Sequence, residues 1–181
     1  MKKLVAFAAL ALAPLACAQL KLTVFDKLKA KASDVVNINL NKDLLGLGAG
    51  FLGSDKGDGA KIKKLAEGLN SILIHSLEFD KEGAYSDADV KQIVSEMGGP
   101  GWNLVVSADE NKGREISRIW IKASGNGELG GLRIMSAESK ELSIIEIIGK
   151  IRLEDLKDLG ALGIPNIASE HTGKPAEKKE E

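Results

Sequence analysis

The stretch from Trp102 to Ile151 decides the fold, because apolar and polar residues alternate along it with a period of two. It reads WNLVVSA over 102–108, EISRIWIKA over 115–123, LGGLRIMS over 129–136 and LSIIEIIGKI over 142–151. Alternation of this kind is typical of β-strands. The turn signals NKG over 111–113 and GNG over 125–127 separate the strands. Four consecutive strands with short turns predict an antiparallel meander.

Helices and two further strands are predicted around this meander. Apolar residues at i, i+3, i+4 and i+7 indicate a helix over Val90–Met97, which Ser86 and Asp89 cap and Gly98 ends. Similar patterns predict helices over Val24–Lys31, Leu44–Leu52, Ile62–Leu69 and Leu153–Leu162, and strands over Val35–Leu40 and Ser71–Phe79. This order indicates the α+β class, with a mostly antiparallel sheet and helices packed mainly on one face.

Two of the helix starts carry local signals. Thr23 with Asp26 has the spacing of a capping box for the first helix. Asn41 or Asp43 can cap the helix over Leu44–Leu52.

Apolar residues occupy both faces of the late strands, which a sheet covered on one face does not require. Either terminal segments or the Leu44–Leu52 helix cover the second face, or an exposed patch binds a partner or a second copy. The second explanation gives a candidate interaction surface made of Leu44, Leu47, Phe51, Ile116, Trp120, Ile144 and Ile148.

The N-terminus has the three-part pattern of a secretory signal peptide. Lys2 and Lys3 are followed by a run of apolar residues too short to span a bilayer, and Ala16 and Ala18 then provide a small-residue cleavage site. We therefore expect residues 1–18 to be a signal peptide, with cleavage after Ala18.

Cys17 supports an alternative, because a lipoprotein signal places small residues directly before a cysteine that becomes acylated. Pro14 departs from that pattern, so we favour ordinary cleavage. The expected location is the periplasm or cell envelope, with a lipid anchor at Cys17 as the alternative. Residues 19–165 are predicted to form a single α+β domain, and residues 166–181 a disordered charged tail.

Composition excludes several classes of function. The net charge of −1 argues against a nucleic-acid-binding protein that depends on a basic surface. One cysteine and two histidines exclude a disulfide framework, a zinc finger and a cysteine-ligated cluster. We therefore predict no metal and no cofactor.

Local motifs give no catalytic site. The pattern G-x-G-x-x-G occurs at 48–53 and at 125–130, within an apolar helix and across a hairpin, so neither has the context of a dinucleotide site. The loop over 55–59 lacks the ligand spacing of a calcium loop. His75 lies in a predicted strand without a nearby ligand partner, which favours a structural role. No catalytic residue is predicted.

Several motifs together resemble a known family. They are YSD at 85–87, GWNLV at 101–105, IWI at 119–121, GGLRI at 130–134, KELSII at 140–145 and IGKI at 148–151. From about Thr23 to Ile167 the chain resembles the bacterial family called domain of unknown function 4252. The resemblance implies a small exported protein, in many members a lipoprotein, with no assigned activity.

These observations favour an exported, non-enzymatic protein-binding or sensing module of the envelope. Its expected partner is another envelope protein or a second copy, and its contact with a membrane is limited to the alternative anchor at Cys17. Two alternatives stay open: a hydrolase-like enzyme with a spatially assembled acid site, and a structural lipoprotein.

Overall fold

The computed structural model describes residues 20–52, 58–111, 115–125 and 127–152, and side chains within these ranges except over 49–52 and 58–62. The helices are α1 (Thr23–Leu28, followed by a 3₁₀ turn at Lys29–Lys31), α2 (Lys42–Leu52), α3 (Asp58–Gly68) and α4 (Asp87–Met97). The strands are β1 (Asp34–Asn41), β2 (Leu69–Glu78), β3 (Trp102–Glu110), β4 (Glu115–Gly125), β5 (Glu128–Ala137) and β6 (Glu141–Arg152). The predicted signal peptide, the helix over Leu153–Leu162 and the tail over 166–181 lie outside the described residues.

The strands form one sheet in the order β1-β2-β6-β5-β4-β3, and every neighbouring pair is antiparallel. The predicted α+β class and the C-terminal meander are therefore confirmed. After the meander, β6 pairs with β2, and β2 pairs with β1. This position places β6 inside the sheet, where both Ile144 and Ile145 are buried.

A buried core lies on each face of the sheet. The α1–α4 face combines residues of those two helices with alternate strand residues, among them Phe25, Leu28, Val90, Ile93, Met97, Leu77, Trp120, Met135, Leu142 and Ile144. The α2–α3 face does the same with Leu45, Leu65, Leu69, Ile72, Leu129, Leu132, Ile134, Ile145, Ile147 and Ile151.

Helices thus pack on both faces, which corrects the expectation that they lie mainly on one. Leu45 of α2 and Leu65 of α3 belong to the second core. The apolar residues on both faces of the late strands are therefore buried by two helical layers. This agrees with the explanation in which the Leu44–Leu52 helix covers the second face. In the part of the chain that the structure describes, no helix is both long and apolar enough to cross a bilayer.

Local signals explain where two of the helices begin. In α4, the Ser86 hydroxyl accepts from the Asp89 amide, and the Asp89 carboxylate accepts from the Ser86 amide at 2.8 Å, so the predicted capping box is confirmed. The Ser86 hydroxyl also donates to the Asp89 carboxylate at 2.7 Å, and this bond, together with the one from the Ser86 amide, lowers the pKa of Asp89. In α2, Asn41 Oδ1 accepts from the Leu44 amide at 2.9 Å. The capping box at Thr23 is wrong, because the Thr23 hydroxyl donates to Glu96 of α4 instead.

Gly149 allows β6 to approach the beginning of β2 closely. Its φ is +149°, and a Cβ at this position would lie 2.5 Å from Leu69 Cα and 2.6 Å from the Gly68 carbonyl oxygen. A side chain here would collide with main-chain atoms, so the glycine in the IGKI motif has a packing role.

Candidate interaction surface

The residues predicted as an interaction surface separate into two groups in the structure. Leu44 and Leu47 on α2 are exposed, with 47% and 63% of their surface accessible. Trp120 and Ile144 are buried in the core of the α1–α4 face, at 4% and 0%.

Trp120 and Ile144 are therefore core residues rather than surface residues, which corrects their assignment. Ile116 and Ile148 are half-buried, and Ile116 packs against the α1–α4 core. The side chain of Phe51 lies outside the described ones. The correction has a simple cause: a strand pattern shows which residues share a face, but not whether a helix covers that face.

Strand β1 adds exposed apolar residues that the sequence did not assign to a site. Val35, Val36 and Ile38 have 42%, 46% and 39% of their surface accessible. Ile38 pairs with Ile74 on the side of the α2–α3 face, whereas Val35 pairs with Leu77 on the side of the α1–α4 face. Within the described residues, β1 is the last strand of the sheet, and no strand pairs with its outer edge. Sequence alternation predicted the strand but could not show that it lies at an edge.

The outer edge of β1 carries few of the devices that natural proteins use to protect an edge. Its eight residues keep an unbroken register with β2 from Asp34 to Asn41. The segment DVVNINLN contains no lysine, arginine or proline, and one charged residue, Asp34. Bulges, prolines and lysines are the usual protection against pairing with another chain. This edge is therefore a template for strand addition.

Helix α2 continues directly from β1 and extends the apolar surface. Asn41 caps its first turn, and Leu45 attaches it to the core of the α2–α3 face. Leu44 and Leu47 remain exposed on this anchored helix. We call the five residues Val35, Val36, Ile38, Leu44 and Leu47 the β1–α2 surface. Several exposed apolar side chains on adjoining elements of a folded domain are typical of an interaction site.

The opposite edge, β3, is protected. Its register with β4 shifts between Leu104 and Val106, so the strand is bulged where Leu104 and Val105 are exposed. Near the far end of the strand, the Asp109 carboxylate accepts from Arg118 of β4 at 2.8 Å. A bulge is a protective device that β1 lacks.

A buried polar cluster attaches the β3 side of the sheet to α4. Arg133 Nε donates to the Glu146 carboxylate at 2.6 Å, and its Nη1 donates to the Met97 carbonyl oxygen at 2.7 Å. The Trp102 ring lies over the guanidinium, whose Cζ is 4.0 Å from the ring centroid. Every charged group in this cluster is paired and shielded from solvent. Such an arrangement stabilises a fold and offers no free group for catalysis.

His75 faces α1 and has a structural environment, as predicted. Its Nδ1 donates to Asn37 Oδ1 of β1 at 2.5 Å, and its ring lies 5.5 Å from the Phe25 ring. Burial lowers the pKa of His75 below 6.5, and the Lys29 charge lowers it further, whereas Asp26 raises it. The imidazole is therefore favoured in its neutral form.

The loop before α4 forms a cleft of about 200 Å³ beside Tyr85. The Tyr85 hydroxyl donates to the carbonyl oxygens of Glu138 and Glu141, which holds the β5–β6 turn. Burial, with the charges of these two glutamates, raises the pKa of Tyr85 to about 12. The phenol is therefore a hydrogen-bond donor at neutral pH rather than a base.

Acidic side chains line this cleft but remain in solvent. Glu82, Asp87 and Glu138 are exposed, and the volume is below the 300–1,000 Å³ that is typical of ligand pockets. A neighbouring hollow of about 400 Å³ is open to solvent and is lined by Lys31 and residues 79–84. Within the described ranges, no group of three histidine, cysteine, aspartate or glutamate residues is placed to hold a metal ion.

Within the described residues, the chain forms a single-sheet α+β domain with a bulged edge at β3 and a regular edge at β1. A family model described as domain of unknown function (DUF4252) matches residues 27–159. The chain belongs to this family, which confirms the resemblance of its motifs. No activity is assigned to the family by that description. Searches of curated proteins and of solved structures gave no significant match.

Proposed function

We propose that this protein is an exported, non-catalytic module of the cell envelope that binds protein through the β1–α2 surface. The observation that carries the proposal is the open edge of β1, where three apolar side chains are exposed beside an unbroken strand. Peptide recognition by strand addition uses this kind of edge, because main-chain hydrogen bonds supply affinity and alternate side chains supply specificity.

Export is supported by the signal pattern over residues 1–18, and the two forms of the mature N-terminus differ in mass. Cleavage after Ala18 leaves Gln19 as the first residue, whereas lipidation leaves an acylated Cys17. The intact mass of protein recovered from the envelope distinguishes them. We expect the unmodified form, and a mass increase equal to attached acyl chains would contradict it.

A non-catalytic role is supported by the surroundings of the titratable side chains. The carboxylates at the Tyr85 cleft are exposed, and the buried carboxylate of Glu146 is paired with Arg133. A general acid or base works in a pocket that positions a substrate and excludes water, and neither hollow described above provides one.

Site-specific photo-cross-linking in intact cells tests the binding proposal. A photoreactive residue replaces Leu47, and a matched probe replaces Val105 on the opposite edge, where 52% of the side chain is exposed. We expect a discrete protein adduct from position 47 and none from position 105. Introducing I38K into the position-47 probe should remove the adduct, because a charge at the centre of β1 prevents strand addition.

Folding is verified for each probe by its thermal unfolding transition. If positions 47 and 105 give the same background of adducts in folded protein, the β1–α2 surface is not a binding site and the proposal is wrong.

A further inference from the structure

The sequence of β1 and the next residue is nearly symmetric about Ile38. Read outward from Ile38, DVVNINLNK places Asn37 against Asn39, Val36 against Leu40, and at the two ends Asp34 against Lys42. A strand that pairs with its own copy in an antiparallel sense brings together residues that are equally far from the two-fold axis. In this register three of the four pairs that flank Ile38 match in chemistry, and the fourth joins Val35 to Asn41.

The matching extends to both sides of the strand. On the side of the α2–α3 face, Ile38 would lie opposite Ile38 of the second copy, and Val36 opposite Leu40. On the other side, two asparagine amides would meet, and cross-strand pairs of this kind stabilise a sheet. At each end the Asp34 carboxylate would lie near Lys42, the first residue of α2 in the second copy. Opposite charges across the interface favour this register over its neighbours.

We propose that the occupant of the β1 edge is a second copy of this chain, added antiparallel with Ile38 on the two-fold axis. This inference rests on the proposed function, since it names the partner of the same surface. The two sheets would join into one continuous sheet, with the regular β1 strands at its centre. The bulged β3 strands would form its protected outer edges.

The proposal can be tested with disulfides, because Cys17 is the single cysteine of the chain. The variant I38C is made in the full chain with C17A, exported and oxidised. Directly opposed antiparallel residues have Cα atoms about 4.5–5.5 Å apart, within the range of a disulfide. We expect most of the I38C protein to migrate as a disulfide-linked dimer without reducing agent.

Val36 gives a matched control on the same side of the same strand. In the proposed register Val36 lies opposite Leu40 of the second copy, so two Val36 residues are offset by four positions, about 13 Å. V36C alone should therefore give little dimer, and a mixture of V36C chains with L40C chains should give a linked heterodimer. A strong V36C self-linkage would overturn the register.

Charge reversal tests the ends of the interface without cysteines. D34K should raise the dimer dissociation constant about threefold to tenfold, and D34K/K42D should restore it. Asp34 and Lys42 are eight residues apart along one chain, about 27 Å in an extended strand, so rescue requires contact between chains. Sedimentation velocity measures the dissociation constant. Loss of dimerisation in both variants, or in neither, would contradict the pairing.

The outcomes separate this inference from the proposed function. If position 47 forms an adduct with a different protein and I38C does not link to itself, the surface binds protein but the second copy is not its occupant. If the cross-link joins position 47 to residues 153–181 within one chain, the chain itself covers the surface, and both proposals are wrong. If neither probe links to anything, both proposals are wrong.

Discussion

The two edges of the sheet differ in how they are attached and in how regular they are. On β3, the Trp102 ring reaches the Arg133 guanidinium of β5, a bulge follows Leu104, and Asp109 pairs with Arg118. On β1, the strand runs without a bulge, and the apolar side chains of Val36 and Ile38 are exposed. The β3 edge is closed by its side chains and its irregularity, whereas the β1 edge is open.

This difference shows that the regular, unprotected character of β1 is not shared by the other edge of the sheet. Both edge strands come from one chain under the same need to avoid aggregation, and one of them meets that need with established protective features. The proposed partner would give β1 the protection that its own residues do not supply. Substitutions at the β3 side and at β1 should consequently affect different measurements.

The largest effect is expected at the buried cluster behind β3. R133A removes the partner of the Glu146 carboxylate and the donor to the Met97 carbonyl oxygen, leaving both groups unpaired. Breaking a buried ion pair in this way should lower the free energy of unfolding by about 3–5 kcal/mol. Urea unfolding at a fixed protein concentration measures this change in the free energy of unfolding.

R118A is the control at a less buried arginine and should lower the free energy of unfolding by less than R133A. It removes a pair with the exposed Asp109, which contributes about 1 kcal/mol or less, and the hydrogen bonds to the Ala108 and Ser117 carbonyl oxygens. The double variant R133M/E146M should recover part of the loss, since it leaves no unpaired buried charge. Equal losses for R133A and R118A would show that the buried cluster does not hold the β3 side.

A smaller effect is expected at Gly131, where β5 lies under the Trp102 ring. A Cβ at this position would lie 2.7 Å from Trp102 Cη2 and 3.1 Å from the Ile147 carbonyl oxygen. G131A should therefore lower the free energy of unfolding by about 1–3 kcal/mol through overpacking. G130A is the control, since its Cβ would meet Ser124 Cβ at an ordinary 3.4 Å. If G131A and G130A are equally stable, the packing of the Trp102 ring does not require a glycine at position 131.

The smallest effect is expected on the β1 side, at His75. Because its folded-state pKa lies below the ordinary 6.5, protonation favours the unfolded state. The stabilisation is present above about pH 6.5 and is lost as the pH falls through the lowered pKa. H75Q should remove this part of the pH dependence between about pH 7.5 and about pH 5. An NMR titration placing the pKa of His75 at or above 6.5 would contradict the prediction.

The sequence predicted the elements of the fold well because their signals are local. Alternation marked the four strands of the meander, and Ser86 with Asp89 marked the beginning of α4. The sequence left two explanations for the apolar residues on both faces of the late strands, and a covering helix was part of one of them. The capping box at Thr23 failed because its hydroxyl has a partner on α4, which is distant in sequence.

The candidate surface was predicted in part. Leu44 and Leu47 are exposed, as an interaction surface requires, whereas Trp120 and Ile144 are covered by helices. The contribution of Val35, Val36 and Ile38 was missed. The near-symmetry of DVVNINLNK about Ile38 is visible in the sequence, but it has meaning only for a strand whose outer edge is free.

By itself, the sequence determined the α+β class, the meander and the local signals of helices and turns, because hydrophobic period and capping act over a few residues. The tertiary structure decided the strand order, the covering of both faces and the placement of β1 at an edge. Those features depend on contacts between residues far apart in the chain. The same alternation fits a central strand and an edge strand equally well, so packing alone distinguishes a core residue from a binding residue.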